Sequence, residues 1–283
     1  MYIPDIELDN GAIGRKRELH ELVDAMHWAK ERSATPGTGS YSSVDGSAKF
    51  CATDSIDEYA DMLEKGWAAG VTGVEGLDGV STDHEERLQF VPDVGGAFAV
   101  VPAYIAGHPQ CMLTQRRLTT DNERGLTLVI DASFNATVGA STVLAYARAV
   151  MRLVAWLTAE RIQVAIYACI HVDLYGIDVT YTVPIMRAGD VLQPERIAAI
   201  AHPSFLRRAW FALLEREAEE YGLPGTVKAT KAGYGRSQKP ELATLARMID
   251  EAYSVILLPK PGNGNPDRAV RDAITLKLKQ KEF

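Results

Sequence analysis

A basic segment with an aromatic residue at its centre, residues 227–239, is the clearest candidate for binding chemistry in this sequence. Tyr234 lies between two glycines, and four cations but no acid surround it. In proteins that bind single strands, cations contact the phosphates and an exposed ring stacks on a base, at about 1–3 kcal/mol for each stack. We therefore expect single-stranded nucleic acid to bind through Lys228, Lys231, Tyr234, Arg236 and Lys239. A solvated basic loop is the alternative, and the pattern does not favour either one.

Two further groups of cations lie elsewhere in the chain. Arg116 and Arg117 are adjacent in a polar stretch, and we expect them to extend a phosphate-contacting groove. In the last predicted helix, Lys277, Lys279 and Lys281 do not share one helix face. That arrangement is more typical of a solvated helix end that the helix dipole stabilises.

Asp131 and Ser133 directly follow a continuous apolar, β-branched run that predicts a buried strand. Ligands of parallel α/β sheets gather at the carboxyl ends of strands, so this position is favourable for a site. The pair resembles the start of the DxSxS motif of von Willebrand factor A domains, where short oxygen side chains hold a hard divalent ion. That resemblance implies a metal site at Asp131 and Ser133 that contacts a protein partner. The downstream acidic candidates for it are Asp173, Asp178 and Asp190.

The same residues also have an interpretation without a metal. Position 135 is Asn where the motif has Ser. Asp131 and Ser133 can accept hydrogen bonds from backbone N–H groups of the loop, as Asp and Ser often do, with Asn135 in a tight turn. The sequence favours this interpretation, so we predict no metal ligand.

No motif of a known catalytic class is present. The sequence lacks HExxH, GxSxG, HRD, DFG and the Walker pattern, and its six histidines are scattered. We therefore predict a protein that is not an enzyme and that needs no cofactor.

The elements that must position these residues are those of an α/β protein. A strand over 126–131, a helix over 141–160 and a strand over 162–170 form a right-handed βαβ unit. Further strands are expected over 177–186 and 253–259, with helices between and after them. We predict three layers, with a mostly parallel or mixed central sheet and helices on both faces. In the helix that follows Pro203, Arg207 and Arg208 are expected to face solvent.

The first part of the chain has a different pattern. It carries helical periodicity over 15–34, a helix capped by Ser55, and glycines at 70, 73, 76 and 79. We therefore divide the chain into an N-terminal helical and Gly-rich region, 1–90, and an α/β domain, 91–283. The two regions could also form one continuous domain.

Composition narrows the class of protein. With 47% hydrophobic and 24% charged residues, the chain is globular, and its net charge of −7 argues against general coating of duplex DNA. The three cysteines are far apart and predict reduced thiols. Arg148 and Arg152 interrupt the most apolar stretch, and the N-terminus is acidic, so we expect neither a membrane span nor a secretory signal. The expected location is the cytoplasm.

Two resemblances narrow the expected function. The stretches 66–70, 101–112, 126–131 and 202–208 resemble an uncharacterised protein family of tailed phages, over about residues 55–215. Size, acidic balance and the basic aromatic segment resemble the single-stranded DNA-binding RNA polymerase cofactor of podophages that carry a virion RNA polymerase. This second resemblance implies binding to melted promoter DNA and recruitment of a phage-encoded RNA polymerase in the host cytoplasm.

We also expect a homo-oligomer. The alternatives are a von Willebrand A-like metal-dependent protein-binding domain and a structural or assembly protein.

Overall fold

The computed structural model describes thirteen stretches of the chain. They are residues 6–7, 13–33, 48–72, 88–93, 98–109, 111–117, 125–134, 138–160, 162–174, 177–220, 240–249, 253–262 and 264–280. The chain forms two compact units, one of residues 1–80 with 124–283 and the other of residues 81–123.

The described strands and helices follow in chain order. The strands are β1 (Ile6–Glu7), β2 (Ile13–Lys16), β3 (Leu88–Asp93), β4 (Phe98–Ala99), β5 (Met112–Arg117), β6 (Gly125–Asp131), β7 (Gln163–Leu174), β8 (Ile177–Met186) and β9 (Ser254–Leu257). The helices are α1 (Leu19–Ser33), α2 (Ala48–Cys51), α3 (Ile56–Lys65), α4 (Ala68–Val71), α5 (Val101–Ile105), α6 (Ala140–Ala159), α7 (Pro194–Ile200), α8 (Phe211–Glu220), α9 (Leu242–Met248) and α10 (Pro266–Gln280). A π-helix, Phe205–Trp210, leads directly into α8.

The central sheet belongs to the larger unit and has the order β1-β2-β8-β7-β6-β9 among the described strands. β6 is parallel to both of its neighbours, β7 and β9. β7 and β8 form an antiparallel hairpin, and β2 joins β8 in parallel. All seven residues of β6 are buried, as expected of a strand covered on both faces.

Helices cover the sheet unequally. On one face, α1, α3, α6, α7, the π-helix, α8 and α10 share a single apolar core with Leu128 and Ile130 of β6. On the other face, Leu245 of α9 and Ile249 pack on Val129 and on neighbouring residues of β7. Three layers result, a thick helical layer, the sheet and a thin layer that contains α9.

Local sequence signals explain where α3 begins and ends. The Ser55 hydroxyl accepts a hydrogen bond from the Glu58 backbone N–H at 3.0 Å, which caps the first turn. Gly66 ends the helix with a φ of +86°, a conformation that favours glycine. A Cβ at Gly66 would lie 2.7 Å from Glu195 Cβ, so the close approach of α7 also requires glycine here.

The smaller unit contains a three-stranded antiparallel sheet in the order β3-β5-β4, together with α5. No residue of α5 is buried. Among the residues of this unit whose side chains are described, four large apolar ones are exposed, namely Phe98 (56%), Val101 (59%), Tyr104 (70%) and Ile105 (78%).

The predicted fold class is confirmed, since the protein has a three-layer α/β architecture with a mixed sheet. The units divide differently from the boundary that we drew at residue 90. α1 and α3 supply Leu22, Met26 and Tyr59 to the core of the sheet, so they fold as part of the larger unit.

Among the described helices, α6 is long and apolar enough to span a membrane by length and composition. Just over half of its most apolar window is buried inside the protein. The core helix of a βαβ unit has this character, because one face packs on the sheet and another on neighbouring helices.

Candidate functional site at the carboxyl edge of the central sheet

The carboxyl ends of β6 and β9 bring together residues that are far apart in sequence. From β6 the chain passes through α6 to β7 and then to β8, and it later returns to the opposite side of β6 as β9. The strand order therefore reverses beside β6, and ligands of open α/β sheets bind in the crevice at such a point. Asp131 ends β6, and Lys260 follows β9 by three residues.

Asp131, Ser133 and Lys260 form a compact polar cluster at this edge. Asp131 Oδ1 accepts hydrogen bonds from the backbone N–H of Ser133 at 2.9 Å and from its hydroxyl at 2.5 Å. Lys260 Nζ lies 3.2 Å from Asp131 Oδ2 and also 3.2 Å from Ser133 Oγ. The ammonium group thus lies between two buried oxygens, and a quarter of its side chain (24%) is exposed.

Burial dominates the electrostatics of this cluster. It raises the pKa of Asp131 above its usual value, although the Lys260 ammonium and the hydrogen bonds from Ser133 oppose the rise. Burial also raises the pKa of Tyr146, on α6, and the negative charge of Asp131 adds to that effect. The pKa of the Cys169 thiol, opposite Asp131 on β7, is raised for the same two reasons. This thiol is therefore not the activated thiolate that a nucleophilic cysteine requires.

Two buried polar atoms of the site lack a hydrogen-bond partner within the described part of the chain. They are Asp131 Oδ2, which faces Lys260 as an ion pair, and the Tyr146 hydroxyl. Buried polar atoms are nearly always satisfied in proteins, and a water or a ligand satisfies those that lack a protein partner. Of the two, only the Tyr146 hydroxyl has no polar partner of any kind among the described residues.

His171 extends the site along β7. Its Nδ1 lies 2.8 Å from the Thr180 hydroxyl of β8, and its Nε2 lies 4.0 Å from an Asp178 carboxylate oxygen. Burial lowers the pKa of this imidazole, and the charges of Asp178, Asp131 and Glu241 oppose the shift. Glu241 directly precedes α9, so the start of α9 lies within electrostatic reach of His171.

A buried arginine holds the loop that follows β6. Arg207 Nη1 donates to the Phe50 carbonyl at 2.5 Å, and Nη2 donates to the Val138 carbonyl at 2.7 Å. Its guanidinium also lies 5.2 Å from the ring centroid of Phe134. Phe134 and Val138 flank residues 135–137, so one side chain contacts the described chain on both sides of this stretch.

Our expectation that Arg207 and Arg208 face solvent is wrong, since their exposed fractions are 2% and 1%. Elements pack around the whole π-helix, and all six of its residues are buried. Backbone carbonyls accept hydrogen bonds from both Nη atoms of Arg207, and the Thr53 hydroxyl and carbonyl accept from Arg208, which reduces the cost of burying the two cations.

The structure locates only part of the nucleic-acid site that we predicted. Arg116 and Arg117 lie on β5 of the smaller unit, opposite Gln89 and Leu88 of β3. The basic residues of the segment 227–239 and its tyrosine all lie outside the described residues; they are Lys228, Lys231, Tyr234, Arg236 and Lys239. These assignments therefore remain predictions.

Few donors for a divalent ion converge at Asp131 among the described residues. No group of three or more His, Cys, Asp or Glu side chains able to hold a metal occurs among the described residues. At the loop itself, one carboxylate and one hydroxyl converge, and the Lys260 ammonium already lies against both. The other acids are not part of this set: Asp178 is more than half exposed, Asp190 accepts a hydrogen bond from the Arg187 backbone, and nothing is described of the Asp173 side chain.

Sequence reasoning missed four residues that define this edge: Lys260, Tyr146, His171 and Arg207. Each is distant in sequence from Asp131, and no local motif connects them. The single available signal was the position of Lys260 just after a predicted strand, where parallel neighbours bring their carboxyl ends together.

Comparison with protein families gives one match, to a domain of unknown function (DUF7192), over residues 15–277. The chain belongs to this family. The match spans the central sheet from β2 and continues into α10, so it includes every residue of the carboxyl-edge site. Comparison with curated proteins gives no match. Comparison with solved structures gives none either.

Proposed function

We propose that this protein binds single-stranded DNA and acts as a non-enzymatic transcription cofactor that recruits a phage-encoded RNA polymerase to melted DNA. The observation that carries the proposal is the acid-free basic segment around Tyr234 in a chain whose net charge is −7. A local cluster of cations in a protein with net negative charge favours specific contact with a polyanion over non-specific binding to DNA.

The place where this segment ends supports the proposal. Lys239 is bonded to Pro240, where the described chain resumes, and Pro240 is buried. The next residue, Glu241, lies within electrostatic reach of His171 at the carboxyl edge of the sheet. In sequence, the last cation of the segment therefore directly precedes the buried start of the stretch that carries α9.

Each residue has a distinct role in this proposal. Tyr234 stacks on a base, and its flanking glycines let the ring and backbone reorient. Lys228, Lys231, Arg236 and Lys239 contact phosphates, and Arg116 and Arg117 of the smaller unit are further phosphate-contacting residues. A homo-oligomer would multiply these weak contacts through avidity. The site of action is the host cytoplasm.

Fluorescence anisotropy of a labelled single-stranded oligonucleotide, beside a duplex of the same sequence, tests the proposal. The decisive variant replaces all four cations of the segment with Gln, and we expect it to lose most of the affinity. A matched control replaces four exposed cations elsewhere with Gln: Lys30, Lys65, Arg187 and Arg268. Equal losses of affinity in the two variants would show that binding depends on net charge, and would refute a specific role for the segment.

A second candidate function is a von Willebrand A-like, metal-dependent domain that binds a protein partner. The position of Asp131 and Ser133 at the carboxyl edge favours it, whereas the Lys260 ammonium between their oxygens opposes it. Calorimetric titration with Mg²⁺ separates the two functions. Heat that disappears in Asp131→Ala supports the second candidate, and a protein that binds a single strand but gives no such heat supports the first.

A further inference from the structure

The environment of Asp131 requires a positive charge. Its side chain is 1% exposed, and an ionised carboxylate at such a depth is costly unless a cation or several donors compensate it. Ser133 supplies two hydrogen bonds, both to Oδ1. The remaining oxygen, Oδ2, receives no hydrogen bond of normal geometry from a described residue.

Lys260 supplies the positive charge from the neighbouring strand. Its Nζ is equidistant, at 3.2 Å, from Asp131 Oδ2 and Ser133 Oγ. These two atoms are the carboxylate and hydroxyl oxygens that would coordinate a hard cation. An ammonium and a divalent ion would therefore occupy the same position, and the Lys260 side chain tethers the ammonium there.

We propose that the Lys260 ammonium is the resident cation of the Asp131 loop and makes this site independent of divalent metal. The inference does not rest on DNA binding. Its consequence is that Asp131 and Ser133 keep the same arrangement whether or not divalent ions are available. A second consequence is that replacing Lys260 with an acid creates a metal site.

The decisive variant is Lys260→Asp. It places a second carboxylate beside Asp131 and Ser133, so that three protein oxygens surround a position that has lost its cation. Two neighbouring buried carboxylates repel each other, and we expect a lower melting temperature in the absence of metal. Mn²⁺, a hard ion that accepts oxygen ligands, is the probe.

The readout is the melting temperature with and without Mn²⁺, at ionic strength matched with KCl. We expect no change for the native protein and a rise of roughly 5 °C for Lys260→Asp at a hundredfold excess over its Kd. The double variant Lys260→Asp with Asp131→Asn should lose the response. Lys65→Asp, at an exposed lysine that pairs with Asp61 at 2.8 Å, is the matched control and should show none.

Two results would overturn the inference. One is a native protein that Mn²⁺ stabilises and that loses this response in Asp131→Asn, because the metal would then displace the lysine. The other is a Lys260→Asp protein that gains no response. If this variant does not fold without metal, refolding with and without Mn²⁺ replaces the melting experiment: recovery only with Mn²⁺ supports the inference, and recovery in neither condition contradicts it.

Discussion

At the scale of single residues, burial decides which side chains keep their ordinary chemistry. His202 shows this clearly because its ring is packed between aromatic groups. It stacks on Tyr59 with ring centroids 5.6 Å apart and meets Trp67 edge to face at 4.8 Å. Its Nδ1 accepts a hydrogen bond from the Ser204 backbone at 3.1 Å, which requires a ring without a proton on that nitrogen.

Burial, with a smaller contribution from the charge of Arg208, lowers the pKa of His202 to about 4. An unfolded chain takes up this proton near pH 6.5, whereas the folded protein resists it until the pH approaches 4. The free energy of unfolding should therefore fall by about 3 kcal/mol as the pH drops through this window. Urea denaturation between pH 7 and pH 4 measures the loss. His202→Asn, which keeps an acceptor for Ser204, should lose less stability over the same range, and an unchanged pH profile would contradict the assignment.

At the scale of elements, buried arginines join segments that are distant in sequence. Arg15 of β2 and Arg17 share the Glu217 carboxylate of α8, at 2.5 Å and 2.9 Å. The Tyr181 hydroxyl of β8 donates to the same carboxylate at 2.5 Å. One acid thus connects strands β2 and β8 to the helical layer.

Glu217→Gln leaves two arginines beside a neutral amide and should destabilise the protein by about 3–5 kcal/mol, as expected for breaking a buried ion pair. Urea denaturation at neutral pH is the measurement. Glu219→Gln is the matched control, because Glu219 pairs with Arg32 at the surface and should contribute less than about 1 kcal/mol. Similar losses of stability in the two variants would show that the buried ion pairs of Glu217 contribute no more than the surface pair of Glu219.

The loop of the candidate site depends on Arg207 in the same way. Arg207→Lys keeps the positive charge but cannot reach both the Phe50 and Val138 carbonyls. We expect a loss of roughly 2–4 kcal/mol from these hydrogen bonds. Amide hydrogen exchange should quicken at Thr142 and Val143, whose N–H groups donate to the Gly139 carbonyl, but not at Leu128. Exchange rates that equal those of the native protein at all three positions would show that the arginine does not hold this part of the chain.

The sequence predicted the helices and strands of this protein better than the long-range contacts between them. The β6–α6–β7 unit and the Ser55 cap followed from apolar periodicity and local hydrogen bonding, both of which act over a few residues. Arg207 was misplaced because helical periodicity assumes α-helical spacing, whereas this stretch is a π-helix buried on all sides. Lys260 was missed because its contact with Asp131 spans 129 positions, 131 to 260, and only the strand order creates it.

At the scale of the whole molecule, charge distribution matters more than net charge. An acidic chain with pI near 5.5 repels nucleic acid at long range, so any binding must come from a concentrated cation group. The segment 227–239 has four cations and no acid, more cations than any other acid-free stretch of the sequence, and it belongs to the larger unit. The account therefore predicts binding that is strong only at low salt and that depends on few phosphate contacts.

The salt dependence of single-strand binding tests this account most directly. Each phosphate contact adds about −0.7 to the slope of log K against log salt, so four cations should account for about −2.8 of the slope. The four-Gln variant of the segment should lose that part, and Tyr234→Ala should weaken binding while it leaves the slope unchanged. Absence of binding at low salt, or an identical slope in the four-Gln variant, would contradict the account.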